Sequence, residues 1–198
     1  MKSKAAAVVA AVLVLAGCAS SGGSGGGGPA VISNPRWMAG DSLVAWVQPW
    51  LTVPTFYAGQ GGNGFVYANA GTIESFTVSL LAGINHPAVV LVTGGLNDAA
   101  PARGISVTDT ILAMEHFEAT MTAVGARTVW ITEPVYPAYQ SAALVSAMAV
   151  TNGWMLTRSF HADCGLAATS VLNAGTVDGV HPNGPSTVAF ASCIDAAG

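Results

Sequence analysis

The chain has 198 residues, of which 52% are apolar and only 8% charged, with six basic and ten acidic side chains and a formal charge of −4. That length supports one domain with a core of its own, and the absence of any Lys/Arg cluster leaves nucleic-acid binding without an electrostatic footing. Outside residues 5–17 the apolar residues fall in runs of five to eight closed by Gly, Pro, Asn or Asp, too short to span a bilayer.

The first segment has the three parts of a secretion signal. Lys2 and Lys4 form a positive start, residues 5–14 an apolar stretch, and small residues follow. Leu15-Ala16-Gly17-Cys18 resembles the lipobox of bacterial lipoproteins. The resemblance implies cleavage after residue 17, diacylation of Cys18, and a protein held by its lipid on the outer side of a bacterial membrane or envelope. Two acyl chains give stable anchoring where one holds only marginally. Residues 19–28 are Ser, Gly and Ala throughout or nearly so, and residues 18–30 therefore read as lipidated cysteine plus tether, with an r.m.s. span of about 17–19 Å for ten such residues. The domain proper is expected over 31–198. Without Lys2 and Lys4 the six basic residues fall to four against ten acidic, and the formal charge becomes −6. With Cys18 assigned to lipid, Cys164 and Cys193 remain as a pair in an oxidising compartment. A disulfide between them is expected; two buried free thiols are the alternative.

From residue 31 onward short β-branched runs alternate with helical stretches. Trp37-Met38-Ala39 reads as a first strand, followed by a helix from Leu43 to Leu51. Phe65-Val66-Tyr67-Ala68 reads as a second strand, with a helix over Ile73 to Ala82. Residues 88–93 are apolar up to the closing Thr93, as a strand buried on both faces should be, and a helix over Val107 to Val124 follows. Thr128 to Thr132 is a fourth strand stopped before Pro134, Gln140 to Asn152 a helix, Trp154-Met155-Leu156 a fifth strand, and Pro185 to Ala197 a last helix. This alternation predicts an α/β domain of three layers, α/β/α and flavodoxin-like, around a five-stranded parallel sheet.

The polar residues fall where such a sheet builds a site, at the carboxy ends of strands. Gly40-Asp41-Ser42 follows the first strand and opens a helix. Gly71 follows the predicted second strand, Gly95-Leu96-Asn97-Asp98 follows the third, and Asp178-Gly179-Val180-His181 precedes the last helix. Taken singly these have plainer readings: Ser42 as a helix cap, Gly71 as a backbone necessity, Asn97 as a turn residue, Asp178 and His181 as a solvated loop.

In order and context the four blocks resemble those of the SGNH (GDSL-type) hydrolase family across essentially the whole domain. The resemblance implies a serine esterase acting through an acyl-enzyme, with Ser42 as nucleophile, His181 as general base and acid, and Asp178 orienting the imidazole. It also implies an oxyanion hole made by the backbone N–H groups of Ser42 and Gly71 and the side-chain amide of Asn97. Short acyl or acetyl esters, on small molecules, lipids or acylated glycans, are the expected substrates. An acyltransferase with the same triad, and a silent envelope-binding lipoprotein that keeps the fold, are the alternatives. One departure is that Leu43-Val44-Ala45-Trp46 follows the serine where the family commonly has a glycine, which narrows or covers the pocket. Trp46 and Trp50, four apart, are placed to share a helical face. His86 and His116 carry no motif, and His161 with Asp163 has no further ligand beside it, so no metal and no cofactor is expected. The chain is expected to act as a monomer.

Overall fold

The computed structural model describes residues 36–81 and 86–198. The expected signal segment, Cys18, the tether, residues 31–35 and the Ala82 end of the second helix lie outside them. Among the described residues no helix is long and apolar enough to cross a membrane.

Five strands form one sheet: β1 (Arg36–Gly40), β2 (Phe56–Gly59), β3 (Val89–Val92), β4 (Arg127–Ile131) and β5 (His161–Ala162). Every pairing is parallel and the spatial order is β2-β1-β3-β4-β5, the flavodoxin-like arrangement expected from the alternation of elements. The strands alternate their side chains between two cores. Trp37, Ala39, Val90, Val92 and Trp130 point to a core shared with Ile73 and Leu81 of α2 (Ile73–Leu81), Met114, Phe117 and Met121 of α4 (Val107–Ala123), and Met155 of α5 (Ala142–Leu156). Met38, Leu91, Val129 and Ile131 point the other way. They meet Val44 and Val47 of α1 (Ser42–Val47), Cys164 and Ala168 of α6 (Cys164–Thr169), and Phe190, Ala191 and Ile194 of α7 (Gly184–Ala197). Both faces of every central strand are thus covered, which is why these strands are almost wholly apolar.

Two predicted strands are corrected. The second strand is Phe56–Gly59, not Phe65–Ala68, and it pairs with β1 from Trp37↔Phe56 to Gly40↔Gly59. Phe65, Val66 and Tyr67 instead give their amides to the Asp98 carboxylate, at 2.7, 3.1 and 2.6 Å, so that segment satisfies its backbone away from the sheet. Trp154-Met155-Leu156 is not the fifth strand but the last turn of α5. Trp154 packs edge-on against Trp130 with centroids 5.0 Å apart, and the strand falls to the two residues His161–Ala162. The first helix is also shorter than expected: α1 stops at Val47, and Gln48-Pro49-Trp50 tightens into a 3-10 turn.

Cys164 and Cys193 are joined by a disulfide, with Cα atoms 5.4 Å apart, tying the start of α6 to α7. Two residues further along α7, Asp195 meets the Arg36 guanidinium of β1 at 3.0 Å. The disulfide closes a sequence separation of 29 residues, for which loop-closure entropy corresponds to about 3–4 kcal/mol. Cys193→Ser is expected to lower the free energy of unfolding by roughly that amount in a denaturant titration. An unchanged midpoint would mean that the bridge does not constrain the unfolded chain.

Candidate active site

The site begins where β1 ends. Gly40 passes so close to β3 that a side chain there would collide with the Thr93 carbonyl and stand 2.6 Å from Val44 Cγ2, so the close approach requires glycine. Asp41 follows, fully buried. Its Oδ1 accepts the Leu43 N–H at 2.9 Å and so caps α1, while its Oδ2 accepts Asn97 Nδ2 at 3.1 Å. Ser42 is thereby the first residue of α1, where the N–H groups have no intrahelical acceptor and the helix dipole favours negative charge.

Asn97 lies in the short helix α3 (Leu96–Ala99), beyond β3, and joins three loops at once. Besides Asp41 it donates to the Asn63 carbonyl at 2.8 Å, so both hydrogens of its amide are engaged. Asn63 is itself buried, and its Oδ1 takes the amides of Asn69 and Ala70, both at 3.3 Å. Next to Asn97, Asp98 gathers the three amides of residues 65–67. Gly64 makes this possible, because a Cβ at that position would overlap the Asp98 carboxylate.

The remaining groups come from the loop before α7. Asp178 accepts the backbone amides of Val180 and His181 at 3.0 and 2.8 Å through Oδ1, and His181 Nδ1 through Oδ2 at 2.7 Å. His181 Nε2 lies 2.9 Å from Ser42 Oγ. With Nδ1–H donating to the carboxylate, Nε2 is left to accept the serine proton. Ser42, His181 and Asp178 are therefore brought into one contiguous line from residues 139 positions apart in sequence. Desolvation alone would raise the Asp178 carboxyl, but the hydrogen bonds from His181 and Val180 outweigh it and hold its pKa at about 2.

Gly71 is placed differently from the expectation. Because β2 ends at Gly59, residues 60–70 separate the strand from Gly71, whose added Cβ would meet Ser75 Oγ at 2.9 Å. The glycine turn that directly follows β2 is Gly61-Gly62, and a Cβ on Gly61 would lie 3.8 Å from Ser42 Cβ. Asn63 and the Gly61 turn carry no motif in the sequence and become legible only with β2 at Phe56–Gly59. The other histidines stand apart: His116 pairs with Glu74 at 2.9 Å, and His161 Nδ1 meets the Arg158 carbonyl at 2.7 Å. Asp163 is occupied in capping α6 through Leu166 N and in accepting from Thr132 Oγ1, so it is no partner for His161.

A third buried acid is marked by no motif in the sequence. Glu133, just beyond β4, accepts the Leu96 N–H through Oε2 at 3.0 Å, while its Oε1 has no hydrogen-bond partner among the described residues. Its backbone N–H and carbonyl are both held by the Asn152 amide, at 3.0 and 2.8 Å. Burial, reinforced by repulsion from Asp41, pushes the Glu133 carboxyl well above its usual range. Burial likewise raises Asp41 to about 6, against the pull of the Leu43 amide and His181. Asp98 is raised by burial too, opposed by its three amide bonds.

The fold and the geometry together define an α/β/α domain with a Ser–His–Asp line at the carboxy end of a parallel sheet. No family model and no curated protein matches the chain. Its fold is nevertheless that of several solved hydrolase structures. A GDSL-like lipase from Bacteroides thetaiotaomicron superposes with a TM-score of 0.61 at 17% identity, covering 85% of this chain and 89% of its own. TesA gives a TM-score of 0.59 at 18% identity, covering 80% and 94%. The psychrotrophic esterase EstA from Pseudoalteromonas sp., in a structure inhibited by monoethylphosphonate, gives 0.58 at 18%, covering 83% and 96%.

The raised carboxyls set a pH dependence of stability. A group whose folded pKa lies above its unfolded value binds more protons when folded, so stability falls as pH rises from the unfolded value toward the folded one. For Glu133 that decline begins near 4.5, the ordinary glutamate value. Glu133→Gln should therefore melt with the wild type near pH 4 but at a higher temperature above neutrality. Parallel melting curves across the whole range would show that Glu133 carries no such penalty.

Proposed function

We propose that the protein is a serine esterase of the SGNH type. The observation that carries this reading is the unbroken contact from Asp178 through His181 to Ser42, on a fold shared with lipases, esterases and TesA. His181 Nε2 takes the Ser42 Oγ proton as Oγ bonds to the ester carbonyl carbon. The resulting oxyanion is met by the Ser42 N–H at the start of α1 and by Asn97 Nδ2. Both Asn97 hydrogens are engaged in the resting site, so donation to the oxyanion draws one of them away, the longer Asp41 bond being the more readily released. We assign the third donor to the Gly61 turn in place of Gly71, since that turn follows β2 and approaches Ser42. Collapse of the intermediate breaks the ester C–O bond, and His181 returns the proton to the leaving alcohol. Water, deprotonated by His181, then attacks the acyl-enzyme, releasing the carboxylic acid and restoring Ser42.

The Asp178 side chain is 51% exposed and that of His181 19% exposed, which suits a shallow site and short acyl or acetyl groups on small molecules, lipids or glycans. Lipidation of Cys18 would tether this activity to the outer side of the membrane, with the chain entering the domain through Arg36, at the end of β1 away from Ser42.

A fragment beginning at Pro29 is expected to hydrolyse short p-nitrophenyl esters better than long ones. Ser42→Ala should lower turnover by about 10⁴-fold or more, and Asn97→Ala by about 10²–10³. Hydrolysis that survives Ser42→Ala would remove Ser42 as nucleophile. Separately, Cys18→Ala should move the full-length protein from the membrane fraction to the soluble one; its retention in the membrane would refute the lipid anchor.

A further inference from the structure

Trp46 is the residue that takes the family's usual glycine region out of pattern, and it touches the base of the triad. It stands one helical turn after Ser42 on α1, so indole and nucleophile share a helix face. The indole stacks on the His181 imidazole, with centroids 4.8 Å apart and planes inclined by 28°. Its Nε1–H donates to the carbonyl of Pro182, the residue after His181, at 3.1 Å. Thr187 Oγ1 donates to the same carbonyl at 2.8 Å, so the ring is fixed against the His181 loop and α7 together. The indole is 39% exposed, and its ring is held in one orientation by a hydrogen bond.

Resting on the esterase reading, we infer that Trp46 is a positioning residue for His181. Its face stabilises the imidazolium that forms when the base takes the Ser42 proton. The negative face of an indole attracts a cation above it more strongly than any other side-chain ring. The edge of the imidazole is already committed to Asp178 at Nδ1 and Ser42 at Nε2, so the ring face is the surface left for a further partner. The groups facing His181 are the Asp178 carboxylate on its own loop, the buried Asp41 on the β1–α1 turn, and the neutral Ser42 and Trp46 of α1. The two carboxyls act along the ring edge or at a distance; Trp46 acts on the face.

The test has two arms on the full-length protein. In the first, Trp46→Leu lowers kcat by about two- to fivefold with little change in KM. Trp46→Phe, which keeps a ring but has no N–H, restores most of kcat. A Trp46→Leu kcat equal to that of the wild type overturns the inference. The second arm needs no turnover. An imidazolium in contact with an indole quenches its fluorescence and a neutral imidazole does not, so tryptophan emission should rise as the pH is raised and the ring loses its charge. That rise should be missing in both Trp46→Phe and His181→Asn. A rise that persists in Trp46→Phe comes from one of the other four tryptophans, and one that persists in His181→Asn from another titrating group; either overturns the inference. Failure of all ester hydrolysis would count against the esterase reading, and the fluorescence titration would then decide the stack by itself.

Discussion

The Asp41 carboxyl is the joint on which the site is assembled. One oxygen caps the helix that begins with Ser42, and the other reaches Asn97 beyond β3. Because Asn97 continues to the Asn63 carbonyl, the loops after β1, β2 and β3 are fixed to one another by a single buried group and its neighbour amide. A charge or polar group buried so completely is tolerated only when hydrogen bonds surround it. That requirement is what pins three chain segments to a common point and places the N–H of Ser42 and the amide of Asn97 in the same small region.

The cost of that arrangement is visible around it. Asp41, Asp98 and Glu133 are three acids drawn into one end of the sheet, all with pKa values raised by burial. Asp98 organises residues 65–67, between β2 and α2, into a hydrogen-bonded loop. Glu133 holds Leu96, next to Asn97, while leaving one oxygen without a partner among the described residues. Stability is thus spent on the rear of the site, where the orientation of Asn97 is decided, and the front is left shallow. Exposed Asp178 is the contrast: it keeps a low pKa through direct bonds from His181 and Val180.

The two helical layers have different work. The face covered by α2, α4 and α5 holds the larger aromatic core, in which Phe65, Phe117, Trp130 and Trp154 meet mainly edge to face or tilted. The face covered by α1, α6 and α7 carries both Ser42, at the start of α1, and the His181 loop before α7, in contact at 2.9 Å. It is reinforced by the Cys164–Cys193 bridge and by Arg36 against Asp195. These cross-links fix the carboxy-terminal turns of α7, the helix whose start carries the histidine loop, and the indole of Trp46 joins that loop back to the nucleophile's helix.

By itself the sequence determined the layered α/β class, the parallel sheet, and the positions of Ser42, Asn97, Asp178 and His181 at strand or helix ends. Those features depend on local periodicity and on short polar blocks, both of which are properties of neighbouring residues. The second and fifth strands were not legible in the same way. Phe65–Ala68 has as strong a β pattern as Phe56–Gly59, and only pairing with β1 and capture by Asp98 separate them. Trp154–Leu156 reads as a strand until α5 runs through it to pack Trp154 on Trp130. The Gly61 turn, Asn63, Glu133 and the Trp46–His181 stack likewise arise from contacts between residues far apart in sequence. Only tertiary structure could decide them, because backbone pairing and the burial of charge depend on which distant groups arrive at the same place.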